Sequence, residues 1–179
     1  MGPESSAGGR GGRRGFGRAA AALVLLLAAF IVVAGGCGDS GHGAETDPEK
    51  GSDAAILNVA LARELTLLDV YTQGQALLRG RMHEVGRQLR AQQGEYVDAL
   101  NKAIRGLGGD TEAEAEALPP EGLESEAALL ALAGELEDAA VEFYVDEAAH
   151  LYTPAPRTLD AWLAAGHGGH LAMLPAGRG

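Results

Sequence analysis

The sequence predicts an all-α fold, a bundle of four helices behind an N-terminal leader. Three observations predict it. Aromatic residues make up only 4% of the chain and β-branched residues are sparse, while Ala, Leu, Glu and Arg dominate, which is the composition of helices and not of sheets. After residue 52, apolar residues recur at alternating spacings of three and four, the period of a helix buried along one stripe. Four such stripes are separated by two short turns and one long Pro-containing connection that cannot continue a helix. With 179 residues in all, the chain has room for one domain with a real core once the leader is set aside.

The leader comes first. Gly12-Arg13-Arg14-Gly15-Phe16-Gly17-Arg18 precedes an uninterrupted apolar run from Ala19 to Ala34, followed by Gly35-Gly36-Cys37. Basic, apolar and small residues in that order form a signal peptide over residues 1–36. The run is shorter than the ~20 residues that span a bilayer comfortably, which favours a cleaved signal over a permanent transmembrane helix. Arg13, Arg14, Phe16 and Arg18 resemble the twin-arginine export signal, with Gly17 where a leucine is usual; the general secretory route is the alternative. Ala34-Gly35-Gly36-Cys37 resembles a bacterial lipobox, and the resemblance implies that the Cys37 thiol is acylated and becomes the first residue of the mature protein. The expected location is therefore the outer face of the cytoplasmic membrane, with the membrane as partner through the lipid anchor. Cys37 is the single cysteine, so an intrachain disulfide is excluded. Residues 37–52, rich in Gly, Asp, Glu and Ser, read as the lipidated cysteine and a solvated tether.

The net charge of −11 mixes this basic leader with an acidic body. From Cys37 onward there are 10 Lys and Arg against 24 Asp and Glu, about −14 in all. Such a surface repels phosphate backbones, and a nucleic-acid partner is excluded on that ground.

The bundle is expected over 53–174, with a tail at 175–179. The first helix, about Asp53 to Arg79, places Leu57, Leu61, Glu64, Leu68, Tyr71, Gln75 and Leu78 on its stripe, so a carboxylate sits inside the core. The second, about Arg81 to Leu107, shows Met82, Val85, Leu89, Gln93, Tyr96, Leu100, Ala103 and Leu107, and Gly108-Gly109 supplies its stop. Asp110 to Gly122, with Pro119-Pro120, is a crossover long enough to run the length of a small bundle. The third helix, about Leu123 to Leu151, carries Leu130, Ala133, Glu137, Ala140, Tyr144, Ala148 and Leu151. Thr153-Pro154-Ala155-Pro156 forms a turn, and the fourth helix, about Arg157 to Leu174, shows Leu159, Leu163, His167, His170 and Leu174. Its three glycines, Gly166, Gly168 and Gly169, cost roughly 2–3 kcal/mol relative to Ala and predict fraying there.

The polar intruders repeat. Tyr71 follows Glu64 by seven residues and Tyr144 follows Glu137 by seven; Gln93 lies 29 residues beyond Glu64 and His167 lies 30 beyond Glu137. Each pair straddles a short turn, so two antiparallel hairpins bring all six side chains to one level.

This pattern resembles the ferritin-like superfamily, and within it the exported or lipid-anchored bacterial ferritin-like domain proteins. The resemblance spans the whole chain after the tether and implies a ferritin-like four-helix bundle of two antiparallel helix hairpins joined by a long crossover. It also implies one Glu from each of helices one and three, and Glu-x-x-His from helices two and four. Glu64 and Glu137 occupy the two single-Glu positions, Gln93 and Tyr96 stand where helix two should carry Glu and His, and His167 and His170 stand at the Glu and His of helix four. Two irons need bridging carboxylates, and both of the helix-two and helix-four glutamates are missing, which disfavours a dinuclear iron oxidase. Two readings remain. In one the chain is a non-enzymatic binding or structural module with a degenerate, metal-free polar cluster. In the other, Glu64, Glu137, His167 and His170 hold one divalent transition metal ion, as a metal carrier or minor oxidase.

Other constellations are weaker. Glu147-Ala148-Ala149-His150 is a literal Glu-x-x-His but lies well round the helix from Glu137, toward solvent. His83-Glu84 and His42 read as surface residues, and the Glu112, Glu114, Glu116 alternation as a solvated acidic run. Phosphate-binding loops, nucleophile elbows and Cys pairs are absent from the sequence.

Overall fold

The structure is a computed structural model that describes residues 47–175. Arg13, Arg14, Phe16, Arg18, Cys37 and His42 lie outside the described residues. Four helices follow in order: α1 (Pro48–Gly74), α2 (Gly80–Gly106), α3 (Glu126–Glu147) and α4 (Pro154–Met173), with a 3-10 turn at Pro120–Leu123 before α3. The pairs α1–α2 and α3–α4 pack as hairpins, and α1–α3 and α2–α4 close the bundle.

The start of α1 corrects the sequence reading, which left residues 48–52 in the tether. The Asp47 carboxylate accepts from the Glu49 amide at 3.1 Å, with Pro48 in the first helical position. Both features are start signals, since the cap satisfies an orphan donor and proline lacks the amide that would be orphaned. At the far end of α2, Gly108 adopts φ +81°. That conformation lets the Gly109 amide reach Ile104 O and the Gly108 amide reach Arg105 O, both at 3.0 Å, which satisfies the last carbonyls of the helix. Ser125 caps α3 by accepting from the Ala128 amide.

The crossover is fastened to α1 along its course. Asn58 Nδ2 donates to Asp110 O at 3.0 Å and its Oδ1 accepts from the Glu112 amide at 3.1 Å. Further along, Thr66 Oγ1 accepts from the Glu116 amide at 2.8 Å. The acidic alternation thus has a structural job through its backbone, while its side chains face outward.

Helix α4 begins at Pro154, three residues earlier than the spacing predicts, and runs unbroken through the glycines to Met173. Its start is capped from outside. The buried Asp53 carboxylate on α1 accepts from the Tyr152 amide, the Thr153 amide and the Thr153 hydroxyl at 2.8, 2.9 and 2.6 Å. Those bonds hold its carboxyl below the usual range even though burial opposes this.

The core is apolar above and below one polar level. Leu57, Leu61, Leu67 and Val70 of α1 meet Leu89, Leu100 and Ile104 of α2, Leu129 and Ala140 of α3, and Leu163 of α4. Among the described residues, no helix is long and apolar enough to cross a membrane.

Candidate metal centre

The polar level contains every intruder that the spacing brings together. Glu64, Gln93, Glu137 and His167 are each 0% exposed, and His170, Tyr96, Tyr71 and Tyr144 are buried around them. Burial of so many polar groups is tolerated only if they satisfy each other, and they do so by a specific arrangement.

His167 lies between the two carboxylates. Its Nδ1 is 2.5 Å from Glu137 Oε2 and its Nε2 is 2.9 Å from Glu64 Oε1. A ring that faces a carboxylate oxygen at both nitrogens must donate from both, so it carries a proton on each. Burial alone would lower its pKa; the hydrogen bonds to Glu137 and Glu64, and their charges, outweigh burial and hold it at about 9. Glu137 answers in the opposite sense. Burial pushes its carboxyl up, but hydrogen bonds and charge from His167 and His170 bring it down to about 2.

The remaining lone pairs are used in turn. His170 Nδ1 sits 3.1 Å from both Glu137 oxygens and donates to that carboxylate. Tyr71 donates to Glu137 Oε1 at 2.7 Å and Tyr144 donates to Glu64 Oε1. Gln93 Nε2 donates to Glu64 Oε2. The two phenols that follow the glutamates by seven residues therefore serve the opposite carboxylate, each reaching from α1 to α3 or from α3 to α1. Burial first, and the facing carboxylate second, push both phenols well above their ordinary pKa.

Helix α2 contributes differently. The Tyr96 hydroxyl is 3.5 Å from His170 Nε2, and its ring stacks on the His170 ring at 5.5 Å with 15° between planes. Gly166 makes this possible, because a Cβ there would collide with the Tyr96 hydroxyl and lie 2.8 Å from its Cζ. The glycine that looked like a weak point in α4 is the clearance for Tyr96.

These residues test which metal content the site fits. Two ions do not fit: only two carboxylates are present, the His167 ring lies between them, the Gln93 amide is committed to Glu64, and a phenol fills the space beside Gly166. One ion fits. Donor atoms from Glu137, His167 and His170 lie within 4.8 Å of one another, and Glu64 reaches the same imidazole. The Gln93 Oε1 atom is buried and has no partner among protein atoms.

Outside this level, His150 is exposed, Glu147 is half-buried, and His83 and Glu84 are exposed on α2; Glu84 pairs with Arg87 at 2.6 Å. Sequence reasoning missed Asp160. It is 1% exposed with neither carboxylate oxygen hydrogen-bonded to protein. Burial first, then the charges of Glu147 and Asp53, raise its carboxyl to about 7. The sequence reading put Leu159 on the stripe, yet Asp160 lies seven residues before His167, so the histidine stripe itself pointed to it.

A four-helix bundle with a long crossover and a buried level of Glu and His drawn from its facing helices defines the ferritin-like class. The chain belongs to the ferritin-like domain family, matched over residues 52–177. Among solved structures it is similar to a conserved hypothetical protein, rv2844, from Mycobacterium tuberculosis. That likeness has 19% identity and a TM-score of 0.62, and covers 68% of this chain and 93% of the other. At that identity the likeness speaks to the fold alone. No curated protein matches the chain.

Proposed function

We propose that this chain is an exported, membrane-tethered ferritin-like protein whose buried cluster binds a single transition-metal ion through Glu137, His167 and His170, with Glu64 completing the charge balance. The observation that supports it is the convergence of three donor atoms within 4.8 Å. Imidazole and carboxylate together suit Zn, Fe, Cu or Ni, and two carboxylates neutralise a divalent ion in a buried site. A bound ion supplies Lewis acidity there, and one-electron chemistry if it is iron or copper.

The chain's own residues define what such a site does. Tyr71, Tyr144 and Gln93 orient the two carboxylates, as partners of ligands commonly do. Tyr96 covers the outward nitrogen of His170. Because His167 carries a proton on each nitrogen, it must lose one to become a ligand, so binding releases protons and strengthens with rising pH.

Elemental analysis with equilibrium competition among Zn, Fe, Cu and Mn tests the reading. Near one ion per chain is expected, lost in His170→Ala and in Glu137→Gln; two ions per chain, or one that survives both substitutions, refutes it. One observation favours a second reading, a non-enzymatic binding or structural module with no metal: each oxygen of Glu64 and Glu137 already has a protein partner. A stably helical protein that takes up no ion at any pH between 6 and 9 decides for it.

The tether belongs to the same proposal. Acylation at Cys37 keeps the domain at the outer face of the cytoplasmic membrane, and Cys37→Ala is expected to move it from the membrane fraction to the soluble fraction. Unchanged membrane retention refutes the lipid anchor.

A further inference from the structure

The metal level leaves one buried carboxylate without a role. Asp160 on α4 is 1% exposed, and neither of its oxygens has a hydrogen-bond partner. A buried carboxylate is tolerated when it is protonated, paired with a cation or bound to a metal ion. Basic side chains do not serve it. Arg157, the nearest basic residue along α4, is exposed and donates to Tyr152 O at 2.7 Å. The charges that act on Asp160 are carboxylates on two other helices, Glu147 of α3 first and Asp53 of α1 second, and both oppose its ionisation.

Glu147 opens the literal Glu-x-x-His that the metal centre does not use. It is the last residue of α3, where the carbonyl end of the helix carries partial negative charge. Helices favour Lys, Arg or His at that end, yet α3 finishes on Asp146-Glu147 with no basic residue in its last turn. Among the described residues, Asp146, Glu147 and Asp160 form no ion pair. Asp53 differs, because three donors from Tyr152 and Thr153 already occupy its oxygens; it adds charge but no free ligand atom. A negative helix end, a half-buried carboxylate and a fully buried, unpartnered one are thus left without a balancing cation.

We propose that Asp160 and Glu147 form a second cation site, which takes a hard divalent ion of the calcium class at the end of α3. The donors are oxygen alone, which suits calcium and not the imidazole-preferring metals of the buried level. Calcium accepts a flexible shell of roughly six to eight oxygens, so water fills the positions that two carboxylates leave; magnesium demands a strict octahedron and gives up its own water reluctantly. With so few charged ligands the site is weak, with a Kd of about 0.1–1 mM. A bound ion supplies the missing counter-charge of Asp160 and ties the end of α3 to α4 across the turn at 148–153.

The site shares no residue with the metal centre, so each reading can fail without the other. The full chain, treated with chelator and dialysed, is melted at pH 8 with about 10 mM calcium chloride and with sodium chloride of equal ionic strength. Calcium should raise the midpoint by about 4 °C or more over the sodium control. Asp160→Asn keeps the shape of the side chain and should abolish that shift. Glu147→Gln should weaken calcium affinity several-fold in a calorimetric titration, while Glu114→Gln, in the exposed acidic crossover, should keep the wild-type shift. No shift beyond the sodium control, or a shift of equal size in Asp160→Asn, overturns the proposal.

Discussion

Removing the His167 ring is the most direct test of how the buried level is held together. In His167→Ala, Glu64 and Glu137 keep their phenol and amide donors but lose the protonated ring between them, with both carboxylates 0% exposed. Breaking a buried ion pair by deleting one partner typically costs about 3–5 kcal/mol. For a domain of this size about 1 kcal/mol corresponds to roughly 3–6 °C, so the midpoint should fall by about 10–25 °C. Thermal unfolding followed by circular dichroism at pH 6 reads this directly.

The pH dependence separates charge from packing. His167 is held at about 9, above its ordinary 6.5, so its contribution is complete below pH 6.5 and is lost as pH rises through 9. Glu137 is held at about 2, below its ordinary 4.5, so its contribution is complete above pH 4.5 and is lost as pH falls through 2. The wild-type cluster therefore stabilises most between those limits. In the variant Glu137 loses the hydrogen bond and charge of His167 that hold its carboxyl down, and it protonates more readily, so the deficit should shrink between pH 6 and pH 4. A loss under about 1 kcal/mol, or a larger one that does not change with pH, would refute a charged bridge.

Three further outcomes are expected. Gly166→Ala should destabilise by about 1–2 kcal/mol, since crowding a packed core costs about 1–3 and the better helix former returns at most about 1. Adding Tyr96→Phe should recover most of that loss in a double-mutant cycle, and strict additivity would contradict the clearance argument. Asp160→Asn should stabilise at neutral and alkaline pH, because the carboxyl is raised from its ordinary 3.8 to about 7, so its cost to the folded state builds as pH rises from 3.8 and is complete above 7. The gain should be about 1–3 kcal/mol at pH 8 and near zero at pH 3; equal gains at both would show that charge is not the cause. Copper(II) should quench Trp162 fluorescence and saturate at one equivalent, because the indole is one ring removed from His170. A quench that persists in His170→Ala would place the ion elsewhere.

The stripes of three and four were legible because burial of one helix face leaves a period that no other structure shares. They located Glu64, Tyr71, Gln93, Glu137, Tyr144 and His167 on one level. What they could not show is partnership across helices. Nothing in the spacing says that Tyr71 serves Glu137 on α3 while Tyr144 serves Glu64 on α1, since reach depends on how the helices are rotated. The glycines of α4 misled for a related reason. Propensity predicts fraying at Gly166, whereas the space it leaves is filled by a phenol from α2, and His167 and His170 hold the turn through their bonds to Glu137. Asp53 was lost at an element boundary, because its role as a cap for α4 is visible only when residues 99 and 100 positions apart meet.

The replacements in the site act together and not as separate losses. Four carboxylates around two ions balance in charge, but four carboxylates without ions would repel strongly in a buried layer. Exchanging the helix-two Glu for Gln93 removes one negative charge and adds a donor, which the structure spends on Glu64. Exchanging the helix-four Glu for His167 removes another and adds a cation exactly where repulsion between Glu64 and Glu137 would be worst. The result is a level whose buried polar groups satisfy one another and which also brings nitrogen and oxygen donors of Glu137, His167 and His170 within 4.8 Å of one another. Tyr96 follows the same logic, since at the helix-two histidine position it carries a ring that packs on His170 and meets Trp162 edge-on.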